Sequence, residues 1–257
     1  MPNIAIVGAT RGLGRSLAEQ YVKDSSNTVF GTGRKAAPKD SDPSIKWITG
    51  VDIGTPAAGD EVIKGLNDIK GSIDTLIVTA GFFGLETFDK PDWDAQVTMY
   101  TTSAIGPVFL VQKLVKAGLL AKDSKVILVS SESGSITLRH ESEGGGNYGH
   151  HASKAALNMV NKLLSLDMKE QGIAVVSVHP GFMRTEMTKG VGFDKFWDEG
   201  GAVTPDVAAK SLIDWIETFD ISKTGTYWAP RGAADIGTAE DTIGPKDKLP
   251  IPLQLPW

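Results

Sequence analysis

Seven residues, Gly8-Ala9-Thr10-Arg11-Gly12-Leu13-Gly14, offer the clearest chemistry in this chain. An apolar run of strand length, Ile4-Ala5-Ile6-Val7, precedes them. Arg15 to Lys23 follow, with Leu17, Ala18, Tyr21 and Val22 at helical spacing. A strand, a glycine turn and a helix N-terminus together make an anion site. The glycines let the backbone bend sharply and approach a pyrophosphate, while free N–H groups and the positive end of the helix dipole face its charge. The spacing is Gly-x3-Gly-x-Gly rather than the commoner Gly-x-Gly-x2-Gly. An ordinary strand-to-helix turn is the competing reading.

A second strand-like run, Thr28-Val29-Phe30-Gly31-Thr32, ends in Gly33-Arg34-Lys35. In dinucleotide folds an acidic residue at this place holds the adenosine ribose 2′-OH, whereas arginine accommodates a 2′-phosphate. Arg34 and Lys35 stand there, and Arg11 adds a cation from the glycine loop. The guanidinium fork suits phosphate oxygens, so these residues predict NADP(H) rather than NAD(H). A solvated Arg-Lys pair in a loop is the alternative.

Composition narrows the remaining classes. With 26 basic and 31 acidic residues the net charge is −5, which argues against nucleic acid or an anionic membrane as partner. The absence of cysteine excludes disulfides, thiolate chemistry and cysteine zinc sites, and the four histidines form no metal-ligand pattern. The first strand candidate begins at residue 4, leaving no room for a signal peptide. No apolar run approaches the ~18 residues of a membrane span. A soluble, cytoplasmic protein is expected.

The elements that must position these residues alternate along the chain. Further strand candidates are Ile45–Val51, Thr75–Thr79, Lys125–Ser130, Ala174–His179 and Gly225–Trp228. Helix candidates are Ala57–Lys70, Pro91–Leu120, His150–Glu170 and Thr204–Thr218. Continuous Val/Ile-rich strands between helices indicate an α/β fold, a single doubly wound Rossmann domain over 1–257 whose parallel sheet carries helices on both faces. Residues 229–257 form a Pro- and Gly-rich tail. Its apolar end, Leu249 to Trp257, is expected to dock on a surface.

In this order the motifs resemble those of the short-chain dehydrogenase/reductase family, over roughly residues 3–230. The likeness is strongest to its branch of C-factor-like proteins and their fungal relatives. The glycine loop matches. Asp52-Ile53 matches the pair that touches the adenine, and Ala80-Gly81 the end of an Asn-Asn-Ala-Gly element whose asparagines are here Val78 and Thr79. Ser130-Ser131 matches the catalytic serine element, with Ser131 in the catalytic place. Pro180-Gly181-Phe182-Met183-Arg184-Thr185 matches the nicotinamide loop, in which the threonine binds the carboxamide. The resemblance thus implies a cofactor site of Gly8, Thr10, Arg11, Gly12, Leu13, Gly14, Arg34, Lys35, Asp52, Ile53, Ala80, Gly81, Lys154, Pro180, Gly181, Met183 and Thr185. It also implies a homodimer or homotetramer paired through the helices Pro91–Leu120 and His150–Glu170.

Two places depart from the family's Asn-Ser-Tyr-Lys set. Four residues before Lys154 stands His150, not tyrosine; the nearest tyrosine is Tyr148. Ser103, three residues before Gly106, takes the place of the asparagine. Reducing a carbonyl takes a hydride from the cofactor and a proton from the protein, which also supplies an oxyanion donor. Ser131 can donate to the carbonyl oxygen, and by resemblance Lys154 holds the nicotinamide ribose. A phenol near pKa ~10 needs a neighbouring ammonium to act at neutral pH, whereas a histidine near ~6.5 does not. Three readings of the acid stay open: Tyr148 reaching in from the turn before the helix, His150 by position, or neither.

The segment 186–203 occupies the place of the family's substrate lid, and its Phe193, Phe196 and Trp197 either close over an apolar substrate or pack in the core. Phe82 and Phe83 would add to an apolar pocket. His179 reads as a strand-end packing residue, and Arg139, His140 and Lys210 as solvated charges. The function expected is an NADP(H)-dependent oxidoreductase reducing a carbonyl, or oxidising an alcohol, of a small and fairly hydrophobic metabolite. A redox-silent NADP(H) sensor, or non-redox chemistry such as isomerisation or cyclisation, is the alternative.

Overall fold

Along the first strand, Ile4 and Ile6 pack on one side while Ala5 and Val7 pack on the other, and all four are buried. Successive strand side chains face opposite ways, so a strand buried at every position lies between two layers. The structure, a computed structural model, describes every residue except Asp68. Its elements are β1 (Asn3–Val7), α1 (Gly12–Tyr21), β2 (Thr28–Gly33), β3 (Lys46–Thr49), α2 (Ala58–Gly65), β4 (Thr75–Val78), α3 (Trp93–Tyr100), α4 (Gly106–Lys116), β5 (Lys125–Val129), α5 (Tyr148–Met168), β6 (Ala174–Val178), α6 (Glu186–Gly190), α7 (Pro205–Thr218), β7 (Tyr227–Ala229), α8 (Ala239–Thr242) and β8 (Leu253–Gln254).

The sheet runs β3-β2-β1-β4-β5-β6-β7-β8, parallel throughout except for the last pair. Helices α2, α4 and α5 cover one face through Val62, Leu110, Leu114, Leu157 and Leu164. On the other, α1 and α7 do so through Leu17, Ala18, Leu212, Trp215 and Ile216. This is the doubly wound α/β arrangement. Strand order reverses between β1 and β4, and beyond the carboxyl ends of these strands a crevice must open. The C-terminal segment is part of the fold: β8 pairs with β7, Leu253 and Leu255 are buried in a third cluster, and the Trp257 ring stacks on Tyr227 at 5.8 Å. Among the described residues no helix is long and apolar enough to cross a membrane.

The long helix expected over Pro91–Leu120 is instead α3, a wide π turn over Thr101–Ile105, and α4. Pro107 has no N–H to give the carbonyl one turn back, and the Gly106 amide bonds Thr101 O in the wider pattern. The helix expected over Ala57–Lys70 closes at Gly65, followed by Asn67, both weak helix formers; Asp68 lies outside the described residues. Helix α5 starts two residues before the expected His150, so Tyr148 belongs to its first turn rather than to the preceding loop.

The start of α5 has no cap of its own, since Asn147 is left-handed with φ 49° and makes no capping bond with its side chain. Glu86, buried in the loop after β4, takes over. Its carboxylate accepts the Gly149 amide, the Gln96 side-chain N–H at 2.9 Å and the Asp92 amide at 3.3 Å. Burial opposes its charge, but these bonds outweigh burial and hold its pKa below the ordinary 4.5. A carboxyl depressed by folding stabilises fully above its unfolded pKa and loses that contribution as pH falls through the folded one. Glu86→Ala should therefore lower stability by about 1–3 kcal/mol at neutral pH, the cost of buried donors left unmet, with Glu86→Gln milder because its carbonyl still accepts the Gly149 amide. Urea denaturation should show the gap between Glu86→Ala and the parent narrowing below pH 4.5; equal midpoints at pH 7 would contradict this role.

Candidate active site

A cleft of about 650 Å³ opens where the strand order reverses, within the range of cofactor-sized sites. Gly8 leaves β1 with φ +95°, a conformation that favours glycine. Helix α1 begins at Gly12 with no side-chain cap and no acidic residue in its first turn, so its first N–H groups are free to meet an anion. Gly8, Thr10, Arg11, Gly12, Leu13 and Gly14 line the cleft, with Arg34 from the end of β2 and Asp52 and Ile53 from the end of β3. The Asp52 carboxylate accepts the Gly54 amide at 3.0 Å. Arg11 and Glu186, both exposed, form an ion pair at 3.4 Å. Lys35 is exposed and is not among the described residues that line the cleft. Of the expected cations at the adenosine end, Arg34 and Arg11 are therefore the two that face it.

Further along, Ala80, Gly81, Phe82 and Phe83 enter from β4. Ser130 and Ser131 enter from β5, Lys154 from α5, and Pro180, Gly181, Met183 and Thr185 from β6. The Thr185 hydroxyl caps α6 by accepting the Thr188 amide at 3.2 Å. Lys154 is half-buried at the cleft wall and donates to Val129 O at 2.8 Å; burial of its charge lowers its pKa to about 8. His150 lies one helical turn before it, stacked on Phe83 at 4.1 Å between ring centres, and its Nδ1 is buried without a partner. Burial, then the Lys154 ammonium and His151, pull the His150 pKa down to about 3, so its ring is neutral at physiological pH.

Several expected members stand elsewhere. Tyr148 is 41% exposed and is not among the described lining residues. Its place on α5, two residues before His150, turns it away from the face that Lys154 shares. Ser103 is buried in the π turn with its hydroxyl unpartnered, and its neighbours Thr98 and Thr102 line the cleft in its stead. Of the lid aromatics, Phe193 lines the cleft and meets Phe83 edge-on at 5.7 Å. Phe196 leans on Phe193 and is largely exposed, and Trp197 turns aside to donate to Thr188 Oγ1 at 3.2 Å beneath the Arg184 guanidinium.

Other groups lie in the cleft that sequence reasoning did not place there. His179, expected to be mere packing, accepts the Glu132 amide on Nδ1 at 3.0 Å and meets Asp235 through Nε2 at 3.3 Å. Asp235 also accepts the Phe182 amide. Burial works against its charge, but His179, that amide and Arg231 hold its pKa at about 2. Arg139, expected to be solvated, bonds the Glu143 and Gly144 carbonyls and His151, and so ties down the glycine-rich loop before α5. Glu132 is recognisable in hindsight by its place directly after Ser131. Asp235 has no local signal, because only β7 and the turn after it bring residue 235 beneath the Pro180–Thr185 loop.

A family model described as short chain dehydrogenase matches residues 2–195. The 1-hydroxy-2-glutathionyl-2-methyl-3-butene dehydrogenase of Rhodococcus sp. (strain AD45) is 26% identical over 227 residues, 88% of this chain and 96% of its own length. Among solved structures, an NADPH-bound carbonyl reductase from chicken fatty liver superposes with a TM-score of 0.77 at 21% identity, covering 100% of this chain and 94% of the other. A putative short-chain dehydrogenase/reductase from Burkholderia multivorans with bound NADP does so with a TM-score of 0.68 at 26% identity, covering 89% and 96%. With the glycine loop, the serine after β5, the lysine on α5 and the loop after β6 converging on one cleft, the chain belongs to the short-chain dehydrogenase family.

Proposed function

We propose that the chain is an NADP(H)-dependent oxidoreductase that interconverts a carbonyl and an alcohol on a small metabolite. The observation that carries this reading is that Ser131, His150 and Lys154 line the same cleft as the glycine loop and Arg34. The residues fit the cofactor. A Cβ at Gly14 would lie 2.2 Å from Gly8 O, so glycine there lets α1 pack close against the end of β1, and the uncapped first amides of α1 are left for a pyrophosphate. Arg34 and Arg11 stand at the end where a 2′-phosphate would lie. Once bound, a nicotinamide cofactor supplies or accepts the hydride; the rest falls to side chains.

His150 occupies the place of the family's tyrosine as a neutral ring and serves as a hydrogen-bond donor to the reacting oxygen, a role open to neutral imidazole. Lys154 would hold a bound cofactor with its ammonium. Because burial lowers its pKa to about 8, that charge is held well below pH 8 and is lost as pH rises through it, and turnover should decline over the same interval. No inflection at an ordinary histidine pKa is expected, since His150 stays neutral down to about 3. The substrate end pairs an apolar side, Phe83, Phe182 and Phe193, with a charged one, Glu132, Arg139 and Glu143. The metabolite is therefore apolar on one flank and polar on the other.

The reading includes pairing with a second copy of the chain. Met159, Leu163 and Leu166 are exposed on one face of α5, and Val97, Ile105, Val108 and Phe109 along α3, the π turn and α4. Such exposed stripes suit a twofold interface.

Fluorescence titration should show NADPH bound more tightly than NADH. Arg34→Ala should weaken NADPH by about 1.5–3 kcal/mol, the worth of a charged hydrogen bond, and leave NADH unchanged; equal parental affinities would overturn the cofactor assignment. With a panel of aromatic and aliphatic aldehydes and ketones, His150→Ala should lower turnover by about 10²–10³-fold, the loss of one donor to the reacting oxygen, and Tyr148→Phe should keep the parental rate. NADPH binding without turnover of any carbonyl would favour the non-redox alternative instead. Light scattering in dilute solution should give the mass of two or four chains, and a monomer would refute the interface.

A further inference from the structure

A serine hydroxyl has one proton and two lone pairs. The Ser131 proton is directed to Glu132 Oε2 at 3.3 Å, and one lone pair accepts the Ser133 amide at 3.3 Å. One lone pair remains, so Ser131 faces the cleft as an acceptor. That suits the O–H of an alcohol; a carbonyl oxygen would need the proton that Glu132 now holds.

Glu132 is built in on its main-chain side. Its amide donates to His179 Nδ1, His179 rests on Asp235, and the buried Tyr227 hydroxyl donates to the Ser131 carbonyl. Its carboxylate lines the cleft and has no ion-pair partner among the described residues. The titratable groups that face it are His179 from β6, Tyr227 from β7, and Arg139 and Glu143, which share with it a cavity of about 20 Å³ beside the cleft. Arg139 is spent on Glu143 at 3.2 Å and on loop carbonyls.

We propose that Glu132, acting through the Ser131 hydroxyl, takes up the proton released when an alcohol substrate is oxidised and returns it on reduction. The inference rests on the oxidoreductase reading above. The alcohol O–H bond breaks and its proton binds Ser131 Oγ as the proton of Ser131 passes to Glu132 Oε2. The electron pair left on oxygen becomes the second bond of the carbonyl, and the carbon gives up a hydride to the oxidised nicotinamide cofactor. Among the described residues Tyr148 does not line the cleft, and the Lys154 ammonium bonds Val129 O while the Ser131 hydroxyl bonds Glu132 and the Ser133 amide, so neither Tyr148 nor Lys154 is hydrogen-bonded to the Ser131 hydroxyl. The neutral His150 ring orients the oxygen without supplying a net proton.

The test compares the full chain with Glu132→Gln, which keeps an acceptor for Ser131 but takes up no proton, and with Glu132→Asp, which keeps a carboxylate. Equal NADPH binding by all three shows that the fold is intact. Alcohol oxidation and carbonyl reduction should fall together in Glu132→Gln, by about 10²-fold or more, as for loss of a general acid–base group. The parent's decline in oxidation toward acid pH should vanish in Glu132→Gln and persist in Glu132→Asp. Calorimetric binding of 2,2,2-trifluoroethanol, an alcohol that resists oxidation, supplies a readout independent of turnover. Its affinity should weaken toward acid pH in the parent and be flat in Glu132→Gln. If the parent turns over and Glu132→Gln keeps its rates and its acid limb, the proton path is wrong while the oxidoreductase reading stands. If the parent binds NADPH but oxidises and reduces nothing, both fall.

Discussion

Three backbone segments meet at the mouth of the cleft with no space for side chains. A Cβ at Gly14 would lie 2.2 Å from Gly8 O and 2.5 Å from Thr79 Oγ1, and one at Gly8 would lie 2.7 Å from the Ala80 amide nitrogen. The Thr79 hydroxyl shares its proton between the Val7 and Gly8 carbonyls, at 3.0 and 3.1 Å. The ends of β1 and β4 and the start of α1 are thereby locked together at the point of strand reversal. The free amides of α1, the Ala80-Gly81 turn and the sheet ends that carry Ser131 and Gly181 all take their positions from this seam. Thr79 stands where the family's pattern has an asparagine, and a single hydroxyl closes the junction in its place.

Burial then sets the charge state of the chemistry. Burial lowers the Lys154 pKa to about 8, and His150 is kept neutral first by its own burial and then by the Lys154 charge. A tyrosine at residue 150 would use the neighbouring ammonium to become acidic; a histidine is pushed the other way. The same lysine thus fits a phenol as acid and an imidazole as neutral donor. Exchanging one residue for the other moves the demand for a proton to another group in the cleft.

The glycine loop, the seven parallel strands and the Ser131, Lys154 and Pro180–Thr185 positions were legible because each is a local pattern in or at the end of a periodic run. Arg34 was legible for the same reason, as a cation where dinucleotide folds place an acid. Other features depend on distant contacts. The break in the helix expected over 91–120 follows from Pro107 together with Gly106, whose added Cβ would lie 2.0 Å from Ile53 O. Whether Tyr148 or His150 faces the cleft turns on where α5 starts, and that is set by Glu86, 63 residues away. Tyr227 reaches the site on β7 and Asp235 in the turn that follows it, both placed by the pairing of β7 with β6. Lys35 was misplaced because two adjacent loop residues point different ways and only one faces the cleft.

A crystal structure of the chain with NADP⁺ bound tests this reading most directly. The 2′-phosphate should lie against Arg34, the pyrophosphate on the first amides of α1, and the nicotinamide beside Ser131, His150 and Lys154 with Tyr148 outside the cleft. A nucleotide bound elsewhere, or one whose nicotinamide ring lies beyond reach of Ser131 and His150, would contradict it.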